Sequence, residues 1–445
     1  MRLRNSFGFV LFFFIVACAG GTNGESPSGP LPLAKSNPAR VRDTQPITHV
    51  VVVIQENRSF DNLFATYPGA DGATTGLNYN GKTIRLKKRP LKSNLDLNNS
   101  HLAWDVDYDG GKMDGFGLVF VNGRRCVCAY QYVDPTQIAP YWTMAQQYVL
   151  ADHMFQTQSS GSFTAHQDLI RGDTAINSSE SLVDFPSRGP WGCDAPSGTK
   201  TTLLTSTGQY LVDKGPFPCL SYATLRDLLD AKSVSWKYYT PSVHVNGGDF
   251  WSAFDAIDAV RYGPEWSTNV STPETKIFSD IKKGSLASVT WIVPDAANSD
   301  HPKFSRKDTG PSWVAQVVDA IGESPYWNNT AIFVTWDDWG GWYDHVAPPQ
   351  LDYNGLGFRV PLLVVSPYAK AGYVSHTQYE FGSILKFIED NWSLGNLGTT
   401  DVRANSLDDV FNFSQTPLPF NPIPAKYSKS YFQHQRPSNQ PLDDN

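Results

Sequence analysis

Two short apolar runs place the strongest constraint on how this chain can fold. Residues 49–54 read His-Val-Val-Val-Val-Ile, and residues 331–336 read Ala-Ile-Phe-Val-Thr-Trp. Runs of β-branched and aromatic residues without polar alternation predict buried strands. Polar residues follow each run at once, Gln55-Glu56-Asn57 after the first and Asp337-Asp338 after the second. Because ligands of an open parallel sheet bind beyond the carboxyl ends of its strands, the two runs predict one site assembled from distant parts of the chain.

The residues at these strand ends also admit a simpler explanation. Paired aspartates are common in turns and helix caps, and short motifs give many false matches. Two adjacent carboxylates are equally suited to hold a hard cation or a proton, and the following Gly340-Gly341 lets the backbone turn away. The joint occurrence of Glu56-Asn57 and Asp337-Asp338 after buried strands favours the functional interpretation.

Strands and helices alternate along the chain. Two more strand-like runs cover 288–293 and 360–365. Apolar residues at helical spacing cover Tyr222–Lys232, Ser312–Ile321 and Thr377–Asn391. This alternation predicts an α/β fold, with a mainly parallel central sheet and helices on both faces.

The chain divides into four predicted segments. Its globular part carries long loop insertions at 62–135 and 175–220, which are rich in Gly, Asn, Asp and Pro. The C-terminal tail is rich in proline, and we expect it to wrap the surface or to be disordered. The predicted segments are a lipoprotein-type signal peptide (1–18), a flexible tether (19–46), a globular domain (47–413) and a Pro-rich tail (414–445).

The N-terminus has the features of an export signal. Met1-Arg2-Leu3-Arg4 is positively charged, and residues 7–16 are apolar but too few to span a bilayer comfortably. The stretch ends in Ile15-Val16-Ala17-Cys18, which is similar to a bacterial lipobox with Cys18 as the lipidated residue. The alternative is an ordinary secretory signal that is cut nearby and removes Cys18. We expect an exported protein: an outer-membrane or cell-surface lipoprotein held only by a lipid on Cys18, or else a periplasmic or secreted protein.

The charge balance excludes one class of protein. The formal net charge is −7 and the pI is about 5.7, whereas a nucleic-acid binder needs a basic stripe. We therefore expect no nucleic-acid partner. Aromatic residues make up 13% of the chain, which favours a globular protein with ordered loops over a disordered one.

The other cysteines have two predicted fates. Export implies an oxidising compartment, in which cysteines pair. Cys193 and Cys219 bracket a segment rich in Gly, Ser and Thr, and a disulfide between them would close that loop. Cys126 and Cys128 form a C-x-C motif, whose geometry is poor for a mutual bridge, so we expect them to be free or paired elsewhere. The absence of a second cysteine pair at ligand spacing argues against a zinc site.

A segment rich in hydroxyl groups precedes a predicted helix. Residues 156–166 read Gln-Thr-Gln-Ser-Ser-Gly-Ser-Phe-Thr-Ala-His, and a helix-like run covers Gln167–Arg171. A serine at this position usually caps the helix. The functional interpretation makes one serine a nucleophile, with the helix N-terminus binding a phosphate and a metal lowering the pKa of the hydroxyl.

Five histidines are candidates for a functional role. His101 and His301 lie in predicted polar loops, where a histidine is usually a surface residue but can also serve in chemistry. His345 follows the aspartate pair closely and could support the site or anchor a loop. His244 and His376 have weaker claims, and His376 precedes a predicted helix that it could cap.

Three of these motifs together resemble a known family. They are Glu56-Asn57-Arg58-Ser59-Phe60-Asp61, Pro294-Asp295 with His301, and Asp337-Asp338-x-Gly340-Gly341-x-x-Asp344-His345. From residue 47 to residue 395 or so, the chain resembles the bacterial phosphoesterase family that contains phosphatidylcholine-type phospholipases C and a branch of acid phosphatases. That family belongs to the alkaline-phosphatase-like superfamily. The resemblance therefore implies an alkaline-phosphatase-like fold and makes 47–413 a phosphoesterase catalytic domain.

The resemblance also implies roles for individual residues. Ser162 would be the nucleophile, and His101 and His301 would contact phosphate oxygens and assist catalysis. Asn57 would bind the substrate together with these two histidines. The implied metal ligands are Glu56, Asn57, Ser162, Asp337 and Asp338.

The chain departs from the family pattern at three places. The family usually has Gly-Pro before its nucleophile and Pro two residues after it, whereas Ser160-Gly161 and Thr164 stand here. Ser160 and Thr164 therefore remain alternatives to Ser162. A third phosphate-contacting histidine of the acid phosphatases has no secure counterpart, and His244 is the nearest candidate. Phospholipase members often carry Asp-Glu in place of Asp337-Asp338, which favours the acid-phosphatase branch.

The expected activity is hydrolysis of phosphate mono- or diesters by a metal-dependent enzyme with a serine nucleophile. Phospholipids are among the candidate substrates. An all-oxygen ligand set with one amide favours one divalent cation such as Ca²⁺, Mg²⁺ or Mn²⁺ over Zn²⁺. Two alternatives remain: a sulfatase or phosphonate-cleaving relative on the same fold, and a catalytically silent surface lipoprotein that binds phosphate or carbohydrate.

Overall fold

The first valine-rich run lies inside an eight-stranded sheet. A computed structural model describes residues 46–121, 123–245, 247–304 and 308–438. Numbered along the chain, the sheet strands are β1 (His49–Gln55), β2 (Val149–Ala151), β3 (Trp236–Tyr239), β4 (Val270–Ser271), β5 (Val289–Ile292), β6 (Thr330–Trp336), β7 (Leu362–Val365) and β8 (Tyr373–Ser375). Their order across the sheet is β4-β3-β5-β1-β6-β7-β2-β8. The four strands predicted from apolar runs are thus confirmed as β1, β5, β6 and β7.

The sheet is mainly parallel and is covered on both faces. Only β7 runs against its neighbours, pairing antiparallel with β6 and with β2; the other pairings are parallel. Every residue of β6 is buried, as is every residue of β1 after His49. Because successive side chains of a strand point to opposite faces, such strands must be covered on both sides. The predicted α/β class with a mainly parallel sheet is confirmed.

Helices pack in two groups. The helices are α1 (Phe60–Phe64), α2 (His101–Tyr108), α3 (Ala139–Gln147), α4 (Ser162–Arg171), α5 (Leu225–Ala231), α6 (Asp258–Arg261), α7 (Glu265–Thr268), α8 (Lys276–Lys283), α9 (Gly310–Gly322), α10 (Phe381–Trp392), α11 (Thr400–Arg403) and α12 (Lys429–His434). In one group α9 contacts α3, α8 and α12, and in the other α10 contacts α4 and α11 while α4 contacts α5.

The predicted helices are present, with shifted ends. Helices α5, α9 and α10 correspond to the three predicted helical segments. The third begins at Phe381 rather than Thr377, because Tyr379–Glu380 pairs as a short strand with Met154–Phe155 and Glu380 then caps the helix. His376 therefore does not cap α10.

The predicted loop insertions contain regular structure of their own. The prediction that His101 lies in a polar loop was wrong: His101 is the first residue of α2, because the Ser100 hydroxyl caps that helix by accepting from the Ala103 N–H. Short strands outside the central sheet are Thr75–Leu77, Thr83–Arg85, Lys87–Arg89, Phe120–Val121, Arg124–Arg125, Gln131–Val133, Met154–Phe155, Ala175–Asn177, Glu180–Val183, Thr202–Thr205, Tyr210–Leu211 and Tyr379–Glu380.

Two disulfides join the four cysteines of the described residues. The predicted Cys193–Cys219 bridge is confirmed, with Cα atoms 4.4 Å apart. The expectation that Cys126 and Cys128 do not bridge each other was wrong. Cys126 is extended and a helical turn begins at Val127, which sets the two Cα atoms 5.1 Å apart, within the usual reach of a disulfide.

The predicted terminal segments lie largely beyond the described residues. The signal peptide (1–18) and all but the last residue of the tether (19–46) fall outside them. The described part of the tail packs on the domain through the buried side chains of Ile423 and Phe432. The segment boundaries stay predictions. None of the helices in the described part of the chain has the length and apolar character needed to cross a membrane.

Candidate active site

The ends of β1 and β6 bring Glu56-Asn57 and Asp337-Asp338 together. The two strands pair in register up to Gln55 and Trp336, so the residues that follow emerge side by side. The Asn57 backbone N–H donates to Asp337 Oδ1 over 2.9 Å. The Asn57 amide donates to Asp338 Oδ1 over 3.3 Å. The carboxyl ends of two neighbouring parallel strands thus build one polar cluster from residues 280 positions apart.

The backbone at this cluster is tightly constrained. Asn57 has a φ of +59°, in the left-handed region that few residues other than glycine enter. Gly340 has a φ of +61°, and a Cβ at Gly340 would lie 2.2 Å from the Asn57 carbonyl oxygen. The Gly340 N–H donates to Asp338 Oδ1 over 2.6 Å. Glycine at 340 therefore allows the two loops to approach and orients the Asp338 carboxylate.

Several oxygens of the cluster have no hydrogen-bond partner. Within the described residues, Glu56 Oε2, Asn57 Oδ1 and Asp337 Oδ2 are buried and unpartnered. The other Glu56 oxygen, Oε1, lies 3.0 Å from His166 Nε2, and Asp337 Oδ2 lies 3.8 Å from the same nitrogen. Buried polar atoms are nearly always hydrogen-bonded, so a group of orphaned oxygens indicates a place for a ligand that attracts them.

The charge of the cluster also points to a cation. Glu56, Asp337 and Asp338 are fully buried, and in the described part of the chain none of them forms an ion pair with lysine or arginine. Burial, followed by the charge of Asp337, raises the pKa of Glu56 and of Asp338 well above the usual range. Buried unpaired carboxylates are costly. A divalent cation would neutralise them, and the donor set of carboxylates, an amide oxygen and an imidazole fits one.

Ser162 is the hydroxyl that borders this cluster. It begins helix α4, and its Oγ donates to Asp338 Oδ2 over 3.1 Å. Asn99 donates to the same oxygen over 2.7 Å. The two alternatives are turned inward: Ser160 Oγ accepts from the Asp184 N–H at 2.6 Å and from the Thr164 hydroxyl at 2.7 Å.

A narrow cleft opens above Ser162. One wall is aromatic, and another carries His301, whose ring lies 4.6 Å from that of Phe304. His301 is 8% exposed and its Nδ1 has no partner among the described residues. Burial lowers the pKa of His301 to about 4, so the ring is neutral at neutral pH. The residues that line the cleft are Asn57, Asp96, Leu97, Asn99, Ser162, Phe185, Trp191, Phe250, Trp251, His301, Pro302, Phe304 and Gly340.

The other candidate histidines lie apart from the cleft lining. His101 Nδ1 is 2.7 Å from the Ser159 carbonyl oxygen; because a carbonyl can only accept, Nδ1 donates this hydrogen bond. His244 is exposed on a turn. His376 Nδ1 contacts Asp152 instead, at 2.8 Å.

His345 anchors a loop behind the site. Its Nδ1 lies 2.7 Å from Asp61 Oδ2, and its Nε2 lies 3.2 Å from Asp71. The buried Arg359 donates to Oδ1 of Asp344, the residue before His345, over 2.8 Å and so holds the same loop in place. These contacts tie the loop after β6 to helix α1, which follows β1.

His166 and Asn99 belong to the site but were missed from the sequence. His166 stands four residues after Ser162, and residues at that spacing share one face of a helix. The spacing of Ser162 and His166 therefore predicts that His166 lies near the site, provided that Ser162 belongs to it. Asn99 precedes α2 in a predicted loop, and nothing in its local sequence indicates a hydrogen bond to Asp338.

A parallel sheet with a polar cluster and a cleft at the carboxyl ends of its strands is the architecture of an α/β enzyme. The chain belongs to the phosphoesterase family, whose sequence model matches residues 47–395. It is a hydrolase that acts on phosphoric ester bonds.

Its relatives include bacterial phospholipases C. It is 26% identical over 454 residues to the non-hemolytic phospholipase C of Burkholderia pseudomallei, with 84% of this chain and 60% of the relative covered. It is 25% identical over 486 residues to phospholipase C B of Mycobacterium tuberculosis, with 92% and 87% covered. The chain thus spans less than two thirds of the first relative. Among solved structures, an alkaline phosphatase superfamily protein of Vibrio parahaemolyticus is similar with a TM-score of 0.39 and 10% identity, over 82% of this chain and 72% of that one.

Proposed function

We propose that this chain is an exported, metal-dependent phosphoesterase that cleaves phosphate mono- or diesters through Ser162. The observation that carries the proposal is the position of the Ser162 hydroxyl, 3.1 Å from Asp338 and bordering the buried carboxylates of Glu56, Asp337 and Asp338. A nucleophilic hydroxyl beside a cation site is suited to attack a phosphoryl group.

Glu56, Asn57, Asp337 and Asp338 would hold the metal together with Ser162. The unpartnered oxygens of Glu56, Asn57 and Asp337 support this assignment. A bound divalent cation supplies positive charge that lowers the pKa of a neighbouring hydroxyl and offsets charge on phosphoryl oxygens.

The rest of the chemistry falls to side chains of the chain. Asp338 Oδ2 accepts a hydrogen bond from the Ser162 hydroxyl and so orients Oγ. The Ser162 hydroxyl gives up its proton to water as Oγ attacks phosphorus; the bond between phosphorus and the leaving oxygen breaks, and that oxygen takes up a proton from water to become the alcohol. Water then attacks the phosphoserine and releases phosphate, or a phosphomonoester from a diester. The N-terminus of α4 favours the negative charge of the phosphoryl group.

The two remaining candidate residues, His301 and His101, would act on the substrate. His301 lines the cleft, and as a neutral ring it would hydrogen-bond a phosphoryl oxygen together with the Asn57 side chain. His101 does not line the cleft, and its Nδ1 contacts the Ser159 carbonyl oxygen; its proposed role, a hydrogen bond from the ring to the substrate or the leaving oxygen, is supported by the family resemblance alone.

We further propose that the substrate is a phosphate ester, with phospholipid as one class to test, and that the chain is exported. The phospholipase C relatives support the first point, and the N-terminal sequence supports the second. If Cys18 is lipidated, that lipid would attach the protein to a membrane.

The test compares Ser162→Ala with Ser160→Ala on p-nitrophenyl phosphate and on phosphatidylcholine vesicles with added divalent metal. Loss of the nucleophile should lower kcat by roughly a thousandfold or more, whereas Ser160→Ala should keep most of the activity. Acid quenching during turnover, followed by peptide mass spectrometry, should locate phosphate on Ser162. A Ser162→Ala variant with more than about a tenth of normal activity, or phosphate on another residue, would overturn the assignment.

A further inference from the structure

We infer that His166 is a ligand of the divalent metal and that the site therefore prefers a later first-row transition ion such as Co²⁺ or Zn²⁺ over Mg²⁺ or Ca²⁺. This inference rests on the metal site of the proposed function and adds a nitrogen donor to it. It reverses the preference expected from an all-oxygen ligand set.

The distances fit a shared ion. His166 Nε2 lies 3.0 Å from Glu56 Oε1 and 3.8 Å from Asp337 Oδ2, and one ligand atom from each of the three residues lies within 4.8 Å of the others. Two ligand atoms at right angles around a cation, each about 2.1 Å from it, are about 3.0 Å apart. The three side chains are thus grouped as ligands of one ion would be.

The position of His166 in helix α4 makes the contact a rigid one. Ser162 and His166 are one helical turn apart on a helix whose residues 162–170 are all buried. His166 itself is 1% exposed. Its ring therefore cannot swing out to solvent, and any ion held between Glu56 and Asp337 would meet Nε2.

A hydrogen bond alone gives a less complete account of the contact. If Nε2–H only donated to Glu56 Oε1, Glu56 Oε2 and Asp337 Oδ2 would stay without partners. An ion between the three side chains can use Nε2 and both of these oxygens together. Imidazole nitrogen binds Zn²⁺, Co²⁺ and Fe²⁺ far better than it binds Mg²⁺ or Ca²⁺, which accept oxygen ligands almost exclusively. Metal preference is therefore the property that separates the two accounts.

The first test measures binding rather than activity. Chelator-treated full-length protein, His166→Leu and His166→Gln are titrated calorimetrically with Zn²⁺, Co²⁺, Mn²⁺, Mg²⁺ and Ca²⁺. We expect His166→Leu to lower the affinity for Zn²⁺ and Co²⁺ at least about tenfold, and the affinity for Mg²⁺ and Ca²⁺ less than about threefold. His166→Gln, which offers an oxygen, should move the preference further toward Mg²⁺ and Ca²⁺. Equal losses for all ions, or none, would overturn the inference.

A second measurement detects the nitrogen directly in the wild-type chain, and so does not depend on how the variants fold. Asp152, His153 and His376 form another group with cation-ligand spacing, outside the Glu56–Asp337 cluster, so His376→Gln serves as the matched control and background. Pulsed EPR of the Mn²⁺-loaded protein should show coupling to a nitrogen-14 nucleus, in the wild type and in His376→Gln alike. Absence of this coupling in a protein that binds Mn²⁺ stoichiometrically would exclude His166 as a ligand and leave the proposed function intact. Failure to bind any divalent ion would overturn both the inference about His166 and the proposed metal-dependent function.

Discussion

Replacing Asp337 by asparagine should change stability in opposite directions with and without metal. The substitution keeps the shape of the side chain and the Oδ1 atom that accepts from the N–H groups of Asn57 and Asp338 at 2.9 and 2.7 Å. It puts an amide nitrogen where the unpartnered Oδ2 stands. The variant therefore removes one buried charge and one predicted metal ligand without opening a cavity.

The expected magnitude follows from the spacing of the carboxylates. Ligand atoms of Glu56 and Asp337 lie within 4.8 Å of each other, and two unit charges at that distance repel by about 3.5 kcal/mol at an effective dielectric constant of 20. Proton uptake by the cluster relieves part of this repulsion, so we expect a gain of about 1–2 kcal/mol in the metal-free state. For a chain of this length, each kcal/mol moves Tm by about 1 °C.

Added metal should make the wild type more stable than Asp337→Asn, the reverse of their order in the metal-free state. An ion present at a thousand times its Kd stabilises the wild type by about 4 kcal/mol, or roughly 4–5 °C. Asp337→Asn should lose most of this shift. Asp107→Asn is the matched control, since Asp107 is a buried carboxylate outside the cluster, and it should keep the full metal response.

The assay is thermal unfolding followed by circular dichroism, in chelator and in excess Mn²⁺ or Zn²⁺. We expect Asp337→Asn to unfold above the wild type in chelator and below it in metal. A variant that unfolds below the wild type in chelator would show that the carboxylates do not repel one another. A variant that keeps the full metal shift would show that Asp337 is not a ligand.

Three further predictions concern the frame around the site. Gly340→Ala should cost about 2–4 kcal/mol in urea unfolding and weaken metal binding, because its Cβ would lie 2.2 Å from the Asn57 carbonyl oxygen; a neutral result would mean that the loops can separate. Burial alone would lower the pKa of His345, but its carboxylate partners raise it to about 9. The stability that it contributes is therefore complete below its usual pKa of 6.5 and is lost as the pH rises toward about 9. We expect a decline of about 1–2 kcal/mol across that range in the wild type that is absent from His345→Gln, and parallel pH profiles would refute it. Replacing both Cys193 and Cys219 by alanine opens a loop with a sequence separation of 26 and should cost about 3 kcal/mol, checked by the same unfolding assay; an unchanged midpoint in urea would refute it.

The sheet and the meeting of its strand ends could be predicted because they depend on local patterns. A run such as 49–54 has no polar residue to expose after its first, so it must lie in a covered sheet. Two such runs that end in carboxylates must then place them on the same edge if the strands are parallel. The structure has this arrangement, with β1 beside β6 in register.

Several features of the fold and of the site do not follow from sequence patterns. Asn99 reaches Asp338 from a loop 239 positions away in the chain. His101 was expected in a loop because its neighbours are polar, yet Ser100 starts a helix there. The poor geometry of a C-x-C motif predicts that Cys126 and Cys128 do not bridge each other, but an extended Cys126 followed by a turn brings them together. The Asn99 contact is set by tertiary packing, whereas the cap of α2 and the turn after Cys126 are local geometry that residue type alone does not fix.

The motif at 56–61 serves two tasks. Glu56 and Asn57 face the polar cluster, whereas the buried Arg58 donates to the carbonyl oxygens of Asp300 and Leu91 at 2.8 Å each. Asp61 contacts His345 and so helps to hold the loop after β6 against helix α1. A relative could keep Arg58 and Asp61, and with them much of the recognisable motif, after losing Glu56 and Asn57. Family membership rests on the match over residues 47–395, whereas the proposed catalysis depends on the buried carboxylates and on Ser162 beside them.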